Sequence, residues 1–256
     1  MKKLIVRILL GLVLLVGLAL VAVSLFLDGA VRRGIETFGP MLTKVDVKLQ
    51  SVSLSLFSGS GQLKGLVVGN PAGFKTPSAI QVNLASMALQ PSSVLSDKII
   101  IRSIELRAPE ITYETDLKGN NLSKILANLQ AASGPSNNNS TATKSTGASR
   151  KLEVDDFLIS GGKIHVSVTA LGGRSATVPL PDIHFTDLGK GPDGITAAEL
   201  AQKVFAAIEH ESVQAASSSV ADLTKDAAGL TKGLGKDAGS AADKVTKGLG
   251  NLFKKP

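Results

Sequence analysis

Apolar residues fall twice into one spaced pattern, Ile101-x-x-Ile104-x-Leu106-x-x-Pro109-x-Ile111 and Val154-x-x-Phe157-x-Ile159-x-x-Gly162-x-Ile164. In both copies they alternate up to a Pro or Gly and resume after it, which reads as strand, tight turn, strand. A period of two buries one face only, so repeated hairpins predict a one-sided antiparallel sheet. Elsewhere the alternation slips: Val45, Val47 and Leu49 give way to Val52, Leu54 and Leu56. A bulge at Gln50 and Ser51 keeps one face apolar through such a slip and increases local twist. The same offset occurs at Leu84-Ala85-Ser86-Met87 and at Val154-Asp155-Asp156-Phe157. Repeated bulges predict a sheet bent into a trough.

Punctuation along the chain supplies the remaining elements. A short helix is expected from Asp28 to Phe38, a hairpin turn at Ser58-Gly59-Ser60-Gly61, and a loop forced by Pro and Gly at Gly69-Asn70-Pro71-Ala72-Gly73-Phe74. Strands follow near Ile80–Leu89, Ile99–Leu106 and Glu110–Thr115. From Asn121 to Ala132, Leu122, Ile125, Leu126 and Leu129 take helical spacing, with Asn120 or Asn121 placed as the cap. Ser133 to Ser149 is Ser, Thr, Asn and Gly with almost nothing apolar, a flexible linker carrying sequons at Asn138 and Asn139. Strands resume over Leu152–Ile159, Ile164–Val168, Ala176–Leu180 and Ile183–Leu188. A helix then opens at Ile195-Thr196, with Glu199 in capping-box position, and runs to about Glu211.

Both ends have a different character. From Ile8 to Leu27 roughly 20 residues carry no formal charge, enough at about 1.5 Å per residue for a single N-terminal transmembrane helix. Lys2, Lys3 and Arg7 precede it, so the positive-inside rule puts the amino terminus in the cytoplasm and the remainder across the membrane. A cleaved signal peptide has a shorter apolar core ending in small residues, whereas this one runs through Leu25, Phe26 and Leu27. From Ala221 onward Leu223, Ala227, Leu230, Leu234, Ala238, Ala241, Val245, Leu249 and Leu252 form an amphipathic stripe, interrupted by glycines that weaken a helix. This tail is amphipathic or disordered, and Leu249, Leu252, Phe253, Lys254 and Lys255 are its candidate membrane contacts. The chain thus divides into a basic end and anchor (1–28), a first β-rich module (29–132), the linker (133–149), a second β-rich part (150–190), a helix (195–220) and the tail (221–256).

Charge and composition narrow the chemistry. The net charge of +7 over 256 residues is concentrated at the two ends, which suits anionic lipid headgroups. With no Trp and only Tyr113 as tyrosine, the stacking platforms of a nucleic-acid reader are missing. No cysteine is present, which excludes disulfides and thiolate sites. His165, His184 and His210 are scattered without metal-ligand spacing, no nucleophile elbow appears, and Gly189-Lys190-Gly191 lacks the P-loop pattern. Neither an enzyme nor a cofactor is expected, and Glu105, Glu110 and Glu114 read as solvated strand charges.

Several of these segments together resemble the amino-terminal module of the AsmA-like envelope proteins. The matching features are the basic end with its apolar segment, Ser-Leu-Phe-Ser-Gly around Leu56, Gly69-Asn70-Pro71-x-Gly73-Phe74, Ile104-x-Leu106-x-x-Pro109-x-Ile111, and Gly119-Asn120-Asn121-Leu122 leading into a helix. The resemblance covers Met1 to Gln130 well and Lys151 to Leu188 loosely. It implies a bacterial inner-membrane protein with its bulk in the periplasm, a curved, β-taco-like sheet with an apolar groove, and a role in lipid movement and outer-membrane homeostasis. The family is distantly similar to the chorein-type bridge-like lipid transfer proteins.

The expected fold is therefore α+β, mainly antiparallel, a curved sheet with short helices behind an anchor. About nine strands at ~4.8 Å spacing give a groove of roughly 40 Å, too short to bridge a periplasm. Its candidate lining is Val52, Leu54, Leu56, Val82, Leu84, Ile101 and Leu106, its expected partners membrane phospholipid and other envelope proteins, not nucleic acid. The competing expectation is a scaffold with a packed sheet and a docking tail.

Overall fold

The computed structural model describes residues 14, 26–55, 57–115, 119–133, 150–168 and 174–231, with side chains through Ser218 in the last segment. Helix α1 (26–43) leads into β1 (Val47–Ser55), β2 (Ser60–Gly69), β3 (Ser78–Leu89), a 3₁₀ turn at Pro91–Ser93, β4 (Lys98–Arg107) and β5 (Glu110–Thr115). Helix α2 (Asn121–Ser133) precedes β6 (Lys151–Ser160), β7 (Lys163–Val168), β8 (Arg174–Pro179), β9 (Ile183–Leu188) and α3 (Ala197–Thr231). All nine strands belong to one sheet.

The fold is α+β and mostly antiparallel, but the repeated pattern is not a pair of hairpins. β4 and β5 do not pair with each other; both pair with β3, in one unbroken register from Ala85↔Leu106 and Leu84↔Arg107 to Gln81↔Glu110 and Ile80↔Ile111. They are two halves of one long strand with a kink at Ala108-Pro109. β6 and β7 are likewise one kinked strand, and so are β8 and β9, because β9 pairs Ile159↔Ile183 and β8 pairs Lys163↔Pro179 in a common register. The Pro or Gly expected to reverse the chain only bends it. Nine strands therefore fill six positions, and the sheet is about 24 Å wide at ~4.8 Å spacing rather than 40.

The two copies of the pattern lie side by side and parallel. Ile101 pairs Val154, Ile104 pairs Phe157, Leu106 pairs Ile159 and Ile111 pairs Ile164. The constant sequence offset of the repeat is thus the register of the only parallel contacts among the described strands. Parallel pairing follows from the route of the chain: β5 ends at one end of the sheet, and the connection holding α2 returns the chain to the other before β6 begins.

A crease crosses all six positions at one rung. Gln50, Gly65, Asn83, Ala108, Gly161 and Pro181 line up there, and Gly65, Ala108 and Gly161 have φ of 64°, 47° and 64°. The next row, Ser51–Lys64–Leu84–Arg107–Ser160, also points outward, so two consecutive residues of each strand face the same side. That is how a bulge behaves, here taken by neighbouring strands together so that no register shift results. The bulge expected at Gln50–Ser51 is accordingly present as a change of pleat without a slip, because Gly65 opposite changes with it. Backbone bonds carry the ladder through: Ala108 N–H donates to the Ser160 carbonyl (2.8 Å), Lys163 N–H to Pro109 (2.9 Å) and Leu180 N–H to Gly162 (2.9 Å). A second line crosses β4, β6 and β9 at Arg102, Asp155 and Asp187, the last with φ 57°.

On the apolar face the helices cover one half of the sheet. The row Val47–Val68–Ile80–Ile111–Ile164–Val178 is apolar throughout. Leu122, Ile125 and Leu129 of α2 and Phe205, Ile208 and Ala216 of α3 are buried in the same core. Each large side chain buried this way contributes about 1.5–3 kcal/mol. α3 touches β5, β7 and β8 on one side of the crease and β9 on the other, so both halves present one continuous apolar face. The capping box holds: Glu199 N–H donates to Thr196 Oγ1 (3.1 Å), while the Thr196 N–H and hydroxyl donate to Glu199 Oε2. α3 continues well past Glu211, ten residues and more into the expected tail, ending at Thr231.

Among the described residues no helix is long and apolar enough to cross a membrane, which overturns the expected transmembrane helix. Helix α1 carries Asp28, Arg32, Arg33 and Glu36 and works at the sheet's edge: Leu54 N–H donates to Asp28 Oδ1 (2.8 Å) and Leu49 N–H to Glu36 Oε1 (3.2 Å). These carboxylates satisfy edge donors that otherwise template aggregation. Residues 8–13 and 15–25 of the expected span, the linker from 134 and the tail beyond 231 lie outside the described residues.

Two outcomes test this architecture. Gly162→Val places its Cβ within 3.1 Å of Leu180 and Pro109 and is expected to cost about 2 kcal/mol or more in urea unfolding, whereas Ala108→Gly relieves a left-handed alanine and leaves stability unchanged or raised by up to about 1 kcal/mol. The Leu49 N–H, then Arg32, hold the Glu36 carboxyl below its ordinary value. Its edge bond is therefore complete above the usual carboxylate range and is lost as pH falls through the depressed pKa. The hydrogen-exchange protection factor of Leu49 should drop over that acidic interval and not at neutral pH.

Candidate functional site

Beyond the crease, away from α2, the apolar rows continue with thinner cover. One is Val52–Leu63–Ala85–Leu106–Ile159–Ile183, the next Leu54–Gly61–Met87–Ile104–Phe157–Phe185. On the α3 side Phe157, Ile159 and Ile183 are buried, with Leu200, Ala201 and Val204 packed against the core and Phe157 and Phe185 meeting edge to face at 6.1 Å. Toward β1 to β4, Leu54, Leu63, Met87, Ile104 and Leu106 are only half-buried. The helix α1 flanks this patch at β1, and the start of α3 lies over β9. Gly61 makes room in the floor, since a Cβ there would press on Met87 and Leu54. The result is a shallow apolar trough bounded by two helices.

The sequence candidates divide over this geometry. Val52, Leu54 and Leu106 line the trough, joined by Leu63, Met87 and Ile104, which the sequence reading left out. Val82 is buried on the helix-covered side of the crease, and Ile101 is buried at the end of β4 against Val154. Leu84 belongs to the outward row with Lys64 and Arg107, so it does not line the trough. Leu56 and the tail positions Leu249, Leu252, Phe253, Lys254 and Lys255 lie outside the described residues. The signal for the missed floor residues was the pairing itself, since Leu63, Met87 and Ile104 follow once Val52, Leu54 and Phe157 are placed.

At the far end a polar cluster fixes the loop between β2 and β3. Glu114, expected to be solvated, is 2% exposed. Its carboxylate accepts the N–H groups of Lys75 (2.8 Å) and Thr76 (2.8 Å) and the Thr76 hydroxyl (2.6 Å). Asn121 donates to Asn70 Oδ1 (2.7 Å) and to the Thr112 carbonyl (2.7 Å), and accepts from Glu114 N–H (2.9 Å). Asn120 caps α2 by accepting Ser123 N–H at 2.7 Å. Lys124 sits over the Phe74 ring at 4.9 Å. Two motifs about fifty residues apart in sequence, Gly69–Phe74 and Gly119–Leu122, thus form one clamp. Burial, reinforced by the nearby Glu209 charge and opposed by a hydrogen bond to Asn120, raises the Tyr113 phenol above its ordinary value and keeps it neutral.

No catalytic constellation accompanies the trough among the described residues. His165 meets Thr177 (3.0 Å) and Glu110 (3.8 Å), His184 meets Asp156 (2.6 Å), and His210 meets Gln214 (2.7 Å), each in a separate place. No group of three potential metal ligands occurs there. Glu105 is paired with Arg107 through two 2.8 Å bonds, which lower the carboxyl's pKa. A recess of about 380 Å³ at Ser86, Ser103, Glu105 and Asp156 lies on the opposite, polar side of the sheet. No protein-family model, curated protein or solved structure matches this chain.

Replacing Glu114 by Gln leaves one acceptor oxygen where two are used. The expected result is a loss of about 1–3 kcal/mol with exchange of the Lys75 and Thr76 amides accelerated first, read by hydrogen-exchange mass spectrometry.

Proposed function

We propose that this chain is a non-enzymatic lipid-binding protein that holds acyl chains in the trough beside α1. The observation that carries the reading is the adjacency of Leu54, Leu63, Met87, Ile104 and Leu106 on one face, each only partly covered. Apolar surface of this extent costs free energy in water, and a chain of methylenes recovers it without directional contacts. At ~0.8 kcal/mol per buried CH₂, about ten methylenes supply the ~8 kcal/mol of micromolar binding. Three strand spacings of ~4.8 Å across β1 to β4 give a floor of about 14 Å, long enough for that number.

The same proposal places the chain with the AsmA-like envelope proteins it resembles, on the periplasmic side of the bacterial inner membrane, with phospholipid as its partner. An open floor of about 14 Å suits local binding or hand-over better than transport across a compartment.

Native mass spectrometry of the full chain, extracted in mild detergent, tests the proposal. Phospholipid is expected to co-purify, and the double substitution Leu63→Asp with Ile104→Asp should lower its occupancy at least tenfold, about 1.4 kcal/mol. Leu158→Asp, on the outer row, should leave occupancy unchanged, with circular dichroism checking that all variants fold. A lipid-free wild type, or equal loading of the double variant, defeats the reading.

A further inference from the structure

Helix α1 turns its acids toward the sheet and its largest apolar side chains toward water. An amphipathic helix at a protein surface ordinarily does the reverse, packing its apolar stripe inward and showing its charges to solvent. In α1 both carboxylates are engaged by the sheet edge, Asp28 accepting Leu54 N–H at 2.8 Å and Glu36 accepting Leu49 N–H at 3.2 Å. The inward side is marked by Leu42, packed against the core, and by Gly39, where a Cβ would press on Val47. The outward stripe is Phe26, Ala30, Arg33, Thr37 and Met41, at helical spacings of three and four, with Phe38 beside it, and all six are exposed. Phe26 is 76% exposed, Phe38 62% and Met41 58%, so the apolar surface runs along the whole helix.

We propose that this face of α1 lies along the surface of an anionic phospholipid bilayer, with Phe26, Phe38 and Met41 in the interfacial layer and Arg33 among the headgroups. The proposal concerns a helix surface rather than the contents of the trough, and it uses none of the trough's lining residues. Charge complementarity selects the occupant. No carboxylate stands on the stripe, Arg33 has no ion-pair partner among the described residues, and Lys44 and Lys48, exposed just past the helix, outnumber the Asp46 between them. The chain's own tail beyond Thr231 holds Lys in excess over Asp, the same sign as the face it would have to cover. A second copy packed antiparallel across Gly34 would set Arg33 against Arg33, a like-charge contact that disfavours pairing. An anionic lipid surface meets both the apolar stripe and its positive border.

The chain contains no cysteine, so a single introduced thiol reports a single position. Full-length Thr37→Cys and Met41→Cys variants, and a Thr186→Cys variant on the exposed outer side of β9, each carry a polarity-sensitive dye. They are mixed with phosphatidylcholine vesicles containing about one phosphatidylglycerol in four and a spin-labelled lipid. The dyes on α1 should be quenched about twofold or more and the dye on β9 should not, and the α1 quenching should weaken at high salt, in pure phosphatidylcholine and when Arg33→Glu is added. Absence of quenching on α1, equal quenching on β9, or quenching indifferent to lipid charge overturns the proposal. Two results without vesicles also overturn it: a blue shift of the Met41→Cys dye that grows with protein concentration assigns the face to a second copy, and one abolished by deleting residues 232–256 assigns it to the tail. Lipid occupancy of the same variants by native mass spectrometry reads the trough separately, so loss of α1 quenching with occupancy retained counts against this proposal alone.

Discussion

One backbone constraint governs this fold: when a sheet keeps its apolar set on a single face through a change of pleat, every strand must change at the same rung. A change confined to one strand shifts the register of its neighbour and breaks the ladder. Here Gly65, Ala108 and Gly161 accept left-handed conformations in line across the sheet, and hydrogen bonds continue through them. One face gains a continuous apolar surface, while the other shows two adjacent outward rows. The half-covered trough and the seat for α3 both follow from that line.

The β1 edge and the loop at the far end are held by carboxylates rather than by more sheet. Asp28 and Glu36 reach from α1 to the free donors of β1, and Glu114 reaches from β5 to the loop after β2. In each case an ionised acceptor meets backbone N–H groups, a pairing stronger than a neutral hydrogen bond.

Much of this was legible in the sequence, and what was not has a physical reason. Alternation located the strands, helical spacing found α2 and the start of α3, and Thr196 with Glu199 marked its cap. The parity slips pointed to the change of pleat that the strands share at the crease. The turn reading failed at Ala108-Pro109 and Gly161-Gly162 because a left-handed residue beside a Pro or Gly serves a kink as well as a reversal, and local composition does not distinguish them. Pairing partners decide, and they are set by α2 returning the chain to its starting end. Glu114 looked solvated because its acceptor role depends on Lys75 and Thr76, nearly forty residues away. Leu84 and Leu63 look alike in the sequence, and only the crease separates outer row from trough.

The parallel alignment of the two kinked strands also bears on how the chain reaches this state. β3 meets two near-equivalent suitors, since β6 and β7 repeat the apolar spacing of β4 and β5. Their discrimination begins with distance along the chain: closing the short loop from Leu89 to Lys98 costs about 1–2 kcal/mol less entropy than closing the long one to Lys151. The nearer copy therefore zips first, and its outer edge becomes the template on which the farther copy docks. A circular permutant that reverses their order of proximity would turn the internal repeat from a scaffold into a kinetic trap.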